Sequence, residues 1–142
     1  MMSVAQRQAV LIDRYSAIPD PHERLAAIVA RKTLLPPVLP EERTEANLVP
    51  GCQSRVWIVG SYEAGRCRFR MDAESALVKG LVSLICELYD DAPPHEISSV
   101  EPAVLEALGI ARHLSPTRLN GLASVRGAIR QFAVRCPLLH LR

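Results

Sequence analysis

The sequence predicts an α+β domain, a small antiparallel sheet of about three strands packed against several helices, and three observations lead there. Helical periodicity occupies both ends of the chain, two β-patterned runs joined by a tight turn lie in the middle, and the most apolar helical segment follows that hairpin directly. With 142 residues and 49% hydrophobic content, residues 1–142 read as one domain. A chain of this length buries roughly two-thirds of its unfolded surface, enough for one core.

Val4, Leu11, Ile12, Tyr15 and Ile18 recur at helical spacing, which predicts an amphipathic first helix with one stripe on the core. Asp20, Pro21 and Glu23 open a second helix as N-cap, first helical residue and capping-box partner, with Leu25, Ile28 and Val29 on its core face. Pro36, Pro37 and Pro40 then impose a stiff connection, followed by one short polar turn over residues 41–46. A strand is expected from Gln53 to near Gly60, carried by Val56, Trp57, Ile58 and Val59. Glu63, Ala64 and Gly65 read as a hairpin connection to a second strand that turns Cys67, Phe69 and Met71 inward and Arg66, Arg68 and Arg70 outward. Asp72 or Ser75 caps a third helix, whose Leu77, Leu81, Leu84, Ile85 and Leu88 back the sheet. Pro93 and Pro94 stop that helix, a short one spans residues 102–108 before Gly109, and Ser115 with Pro116 starts a final helical region through Ala133.

The charge is nearly balanced, 17 Lys and Arg against 15 Asp and Glu, which gives no general reason to expect nucleic acid or an anionic membrane as partner. The arginine stripe on the second strand reads chiefly as the solvated side of an edge, with an acidic partner face as the alternative. Polar residues interrupt the N-terminus, so no signal peptide is expected, and the apolar run 77–89 contains Lys79 and Glu87 and is too short to span a bilayer. Four widely spaced cysteines without a C-x-x-C pair argue against a zinc site or a disulfide framework and fit a reducing, cytoplasmic compartment. His22, His95, His113 and His140 are scattered, none at metal-ligand spacing with a cysteine, and read as solvated or capping residues.

One cysteine stands apart. Pro50 and Gly51 suit the second and third positions of a type II turn, and Cys52 follows at once, ahead of the β-branched run. As an isolated thiol it reads as a small buried hydrophobe; on a loop tip with clustered backbone N–H groups it reads as an accessible thiol of lowered pKa. A third expectation pulls the other way. Leu48, Val49, Val56 and Trp57 with Leu81, Leu84 and Leu88 can close an apolar pocket beneath the tip, and burial there raises the thiol pKa. Cys67 and Cys86 read as packing residues, and Cys136, just before Pro137, as an exposed thiol with nothing to activate it.

VPGCQSRVW resembles the signature of the SufE family of sulfur acceptors that accompany cysteine desulfurases in iron–sulfur cluster assembly. LPEERTEANLVPGCQSRVWIV, SALVKGLVSLICELYDDAPPHEI and LGIARHLSPTRLNGLASVRGAIRQFA resemble that family in the same order, so the likeness runs from about Arg24 to Ala133. The resemblance implies an architecture shared with iron–sulfur scaffold proteins of the IscU-like kind. It also implies that Cys52 takes sulfur from a SufS-like or CsdA-like desulfurase as a persulfide and hands it to a scaffold complex. Pyridoxal phosphate then belongs to the desulfurase, and this chain needs no cofactor or metal of its own. Gly51, Gln53 and Asp72 fall in matching blocks, as do Lys79, Gly80, Arg118 and Gly121. Arg118 reads equally as a fixed positive charge near Cys52 and as a solvated helix-start arginine; Asp72 reads also as a cap, and Gly80 as a point of close helix packing. Whether the protein works as a homodimer is left open.

Two other classes compete. A metal-binding scaffold needs several thiolate or carboxylate ligands converging on one site, and only Cys52 has such a setting. A self-sufficient thiol enzyme needs a base, for which His113 oriented by Asn120 is the candidate pair.

Overall fold

A computed structural model describes residues 1–139. Helix α1 spans Val4–Ser16 and is closed at its start by a capping box: Ser3 Oγ accepts from the Gln6 N–H, and the Ser3 N–H donates to Gln6 Oε1. Helix α2, Pro21–Ala30, begins with Pro21 after an Asp20 cap. Asp20 accepts from the His22 N–H, one residue earlier than the capping box expected with Glu23. The proline-rich link that follows settles into two short 3-10 turns, Pro40–Glu42 and Glu45–Asn47.

Strands β1, Val56–Glu63, and β2, Arg66–Ala73, pair antiparallel with Glu63 opposite Arg66 and Val56 opposite Ala73. Ala64 and Gly65 connect them, both at positive φ (52° and 77°), the two-residue turn whose twist matches that of a hairpin. The first strand therefore starts later and ends later than the sequence suggests. The sheet has two strands among the described residues, not three. Beyond them lie only isolated bridges, Leu48 to Trp57 and Cys67 to Ala92. Leu48 and Val49 pair with the start of β1 for that one bridge only, and Pro50, which has no N–H, opens the loop that follows.

Helix α3, Ala76–Tyr89, takes its cap from Ser75, whose Oγ accepts from the Val78 N–H, which leaves Asp72 to other partners. Helix α4, Pro94–Ser99, goes beyond the sequence expectation: Pro93 and Pro94 end α3, but Pro94 also begins a new turn, where a missing N–H costs nothing. Helix α5, Val104–Ala107, ends against Gly109 at φ +72°, and α6, Pro116–Leu139, runs past the predicted stop at Ala133.

The strongly patterned faces of β2 and α3 are buried as the sequence predicts. Cys67, Phe69 and Met71 point into the core, and Leu81, Val82, Leu84, Ile85, Cys86 and Leu88 of α3 are all buried. Helix α3 divides two clusters. The larger joins Val82, Ile85 and Tyr89 to the inner face of the hairpin and to Val125, Ile129 and Ala133 of α6; the smaller joins Leu81 and Leu84 to Tyr15, Ile28, Val104 and Leu108. Two glycines permit close approach. A methyl at Gly80 would lie 2.9 Å from the Val29 backbone of α2, and one at Gly60 would lie 2.7 Å from the Phe132 ring of α6.

The arginine stripe is internally neutralised. Arg66 pairs with Asp91 at 2.9 Å, Arg68 with Asp90 at 3.2 Å and Arg70 with Glu42 at 2.6 Å, which leaves Arg66 and Arg70 half-buried and Arg68 the exposed member of the stripe. Among the described residues no helix is long and apolar enough to cross a membrane.

Candidate functional site

The Val49 N–H donates to the Val56 carbonyl at 2.8 Å, which closes residues 50–55 into a loop at the end of the hairpin. Gly51 sits at φ +82°, the value a type II turn requires after Pro50, and a side chain there would also meet Ser124 Oγ of α6 at 2.9 Å. One side of the turn thus faces α6, while Pro50, Gly51 and Gln53 are exposed. Cys52 comes next and is half-buried. Its Sγ lies 3.5 Å from the Gly121 carbonyl oxygen of α6, to which the thiol donates. A methyl on Gly121 would sit 3.7 Å from that sulfur.

The thiol opens onto a cavity of about 390 Å³ bounded by three elements. The loop supplies Cys52, Gln53 and Ser54; the start of α3 supplies Ser75, Val78, Leu81 and Val82; the start of α6 supplies Ser115, Thr117, Arg118, Gly121, Leu122 and Val125. Burial pushes the Cys52 thiol above its ordinary value, so the lowered pKa expected from an exposed turn is not found. The shielded expectation is closer, with a different lining: Val56 and Leu81 border the cavity, while Leu84 and Leu88 face another groove between α3, α5 and α6. Both helices begin at the cavity, where Ser75 and Ser115 cap the Val78 and Arg118 N–H groups and the helix dipoles favour an anion.

Arg118 and Gln53 are exposed at this cavity. The Arg118 backbone N–H is held by Ser115 Oγ at 3.2 Å, and among the described residues its guanidinium has no ion-pair partner. Asp72 does not line the cavity. It is buried across from Trp57 on the hairpin, where it pairs with Arg43 and with Lys79 Nζ at 3.2 Å and accepts the Ala73 N–H at 2.9 Å. Arg43 in turn lies over the Trp57 ring, 5.7 Å from its centroid. Asp72 therefore braces the approach to the loop against β2 and α3; it neither caps a helix nor touches the thiol. Gly80 serves the close packing of α2 on α3.

Sequence reasoning misses Ser124, Ser54 and Val78, which have no motif of their own and reach the site only through packing. It also places His113 and Asn120 nearer the chemistry than they are. Neither lines the cavity, and His113 instead lies against His22, with ring centroids 4.0 Å apart. His140 lies outside the described residues. Cys86 is buried as expected, whereas Cys136, expected to be exposed, is buried and its Sγ lies 3.4 Å from that of Cys67. Among the described residues no group of three or more His, Cys, Asp or Glu side chains is placed to hold a metal ion.

Comparison with known proteins adds three findings. The family described as "SufE: Fe-S metabolism associated domain" matches residues 9–133. An uncharacterized SufE-like protein of Synechocystis sp. is 32% identical over 117 residues, covering 82% of this chain and 74% of that protein. The solution structure of a hypothetical protein from Thermus thermophilus superposes with a TM-score of 0.72 at 21% identity, over 97% of this chain and 99% of that one, a likeness of fold.

Proposed function

The chain belongs to the SufE family, whose domain is associated with Fe–S metabolism, and from that premise we propose that it is a sulfur acceptor and relay working through Cys52. The Cys52 thiolate attacks the terminal sulfur of a persulfide on a partner cysteine desulfurase. The S–S bond of that persulfide breaks, the partner's cysteine leaves as thiolate, and Cys52 is left carrying the persulfide. A second thiol, on an iron–sulfur scaffold, then takes the sulfur by the same exchange. Pyridoxal phosphate does its work in the desulfurase, and this chain holds its cargo covalently.

The observation that carries this reading is the Cys52 sulfur at the end of a loop, in a cavity with room beside it and an unpaired cation, Arg118, on its rim. A persulfide is more acidic than a thiol and is easily oxidised, so a partly enclosed seat with a positive charge and two helix N-termini suits it better than open solvent does. A self-contained thiol enzyme is less well supported, because no histidine or carboxylate is among the residues lining the cavity. A cluster-building scaffold is less well supported because Cys52 is the one thiol there.

The test is alanine production by a candidate desulfurase with and without this protein. Stimulation is expected from the native chain and none from Cys52→Ser, since a hydroxyl is a poor nucleophile toward persulfide sulfur at neutral pH. Stimulation by the serine variant equal to that of the native chain refutes the relay.

A further inference from the structure

Far from Cys52, at the turn end of the hairpin, two more cysteines meet. Cys67 is the second residue of β2, opposite Tyr62 and bridged on its outer side to Ala92 by a 2.8 Å bond from its own N–H. Cys136 projects from the last turns of α6, and the two Sγ atoms lie 3.4 Å apart with both residues essentially without solvent exposure, 0% and 1%. Nothing in the relay uses them. The sulfurs are already in contact, and a modest approach brings them to bonding distance, about 2.05 Å. The surroundings set the order of events. Cys67 is locked in a paired strand, but Pro137 follows Cys136 directly, and its missing N–H removes a hydrogen bond from the last turn of the helix. Val134 and Leu138 on the same turns are exposed, 52% and 65%, so opening the turn at Pro137 uncovers Cys136 chiefly at the cost of that one side chain's own packing in the core.

We propose that Cys67 and Cys136 are a redox modification site, a dithiol that a hydroperoxide converts to a disulfide stapling the end of α6 to β2. In the first step the Cys136 sulfur attacks a peroxide oxygen, the O–O bond breaks, and a sulfenic acid forms with release of water (from hydrogen peroxide). In the second, the Cys67 sulfur attacks the sulfenic sulfur, the S–S bond forms and a second water leaves. Two thiols lose two hydrogens and two electrons, and one peroxide is reduced to two waters. The bridge closes a segment whose ends are 69 residues apart in sequence, so the oxidised chain loses unfolded-state freedom that the reduced chain keeps.

The experiment uses the full chain carrying Cys52→Ser, which leaves three of its four thiols. Native protein is treated with hydrogen peroxide, denatured, alkylated, digested and mapped by mass. The expected result is one alkylatable thiol, Cys86, with a peptide joining Cys67 to Cys136 that dithiothreitol separates. A urea midpoint above that of the reduced protein should accompany it. Cys136→Ser should lose both the linked peptide and the rise in midpoint. Three alkylatable thiols at a dose that fully oxidises the unfolded chain overturns the proposal, as does sulfinic acid on either sulfur in place of the bridge, or a bridge to Cys86.

Discussion

Gly121→Ala tests the described seat of the Cys52 sulfur most directly, because the structure fixes both what the methyl gains and what it meets. Gly121 lies in the interior of α6, and alanine there is better than glycine by about 0.5–1 kcal/mol. The new Cβ has one neighbour within 4 Å, the Cys52 Sγ at 3.7 Å, an ordinary contact that subtracts nothing. The net is a gain of about 0.5–1 kcal/mol, which at a urea m-value of about 2 kcal/mol/M moves the midpoint up by about 0.25–0.5 M. The same methyl occupies the space beside the sulfur, where a persulfide would place its second sulfur atom. Sulfur acceptance from the desulfurase should therefore fall although the fold is firmer. Equilibrium urea unfolding followed by far-UV circular dichroism reads the first quantity, and labelling with radioactive sulfur from the desulfurase reads the second. A midpoint lowered by the substitution refutes the described contact between Cys52 and α6, and undiminished labelling refutes the use of that space for the carried sulfur.

Gly51→Ala should do the opposite and destabilise by about 1–2 kcal/mol, since φ +82° is costly for an L side chain and the added methyl meets Ser124 Oγ at 2.9 Å; Ser124→Ala in the same chain should recover only the steric part in a double-variant cycle. Native Cys52 should alkylate more slowly than in the urea-unfolded chain, and its rate should inflect at a higher pH, because burial raises the thiol; equal profiles would contradict the half-buried seat. Glu42 is held down to about 2 by its hydrogen bonds with Arg70 and the Leu39 N–H. Its folded value lies below its unfolded one, so its stabilisation is complete above about pH 4.5 and is lost as the pH falls toward 2. Arg70→Gln should flatten the urea midpoint against pH in that window and leave the rest of the profile alone.

Whatever rests on short-range pattern is legible in the sequence. The alternation through Cys67, Phe69 and Met71, the α3 stripe and the Asp20 and Ser115 helix starts are each set by neighbours a few positions away. The Pro50–Gly51 turn is legible for the same reason, since each residue's allowed φ decides its place. The errors fall where a distant partner decides. Between the two cap candidates, Asp72 and Ser75, distant partners decide: Arg43 and Lys79 hold Asp72, and Ser75 takes the helix. Cys136 reads as exposed because a C-terminal Cys-Pro carries no pattern, and only the crossing of α6 over the hairpin buries it against Cys67. The expected third strand is reduced to isolated bridges, Leu48 to Trp57 and Cys67 to Ala92.

The half-buried thiol and the exposed arginine pose a single physical question, namely why a nucleophile would rest where its reactive form is disfavoured. Burial works against the Cys52 thiolate, and Arg118, on the rim, is not among its hydrogen-bond partners. In the relay reading this is an advantage while the protein is alone, because a thiol kept protonated and partly enclosed reacts slowly with cellular oxidants. It becomes a liability only on docking, when the sulfur must reach a persulfide on another protein. At the tip the Cys52 thiol donates to the Gly121 carbonyl and its side chain packs against the core, whereas the base of the loop is fixed by the Val49 to Val56 bond and by the Arg43, Asp72 and Lys79 ion pairs. Breaking one weak S–H···O contact and the partial packing of one small side chain costs on the order of 1–2 kcal/mol, while releasing the base means breaking a buried, doubly paired carboxylate. The tip should therefore swing before the base moves.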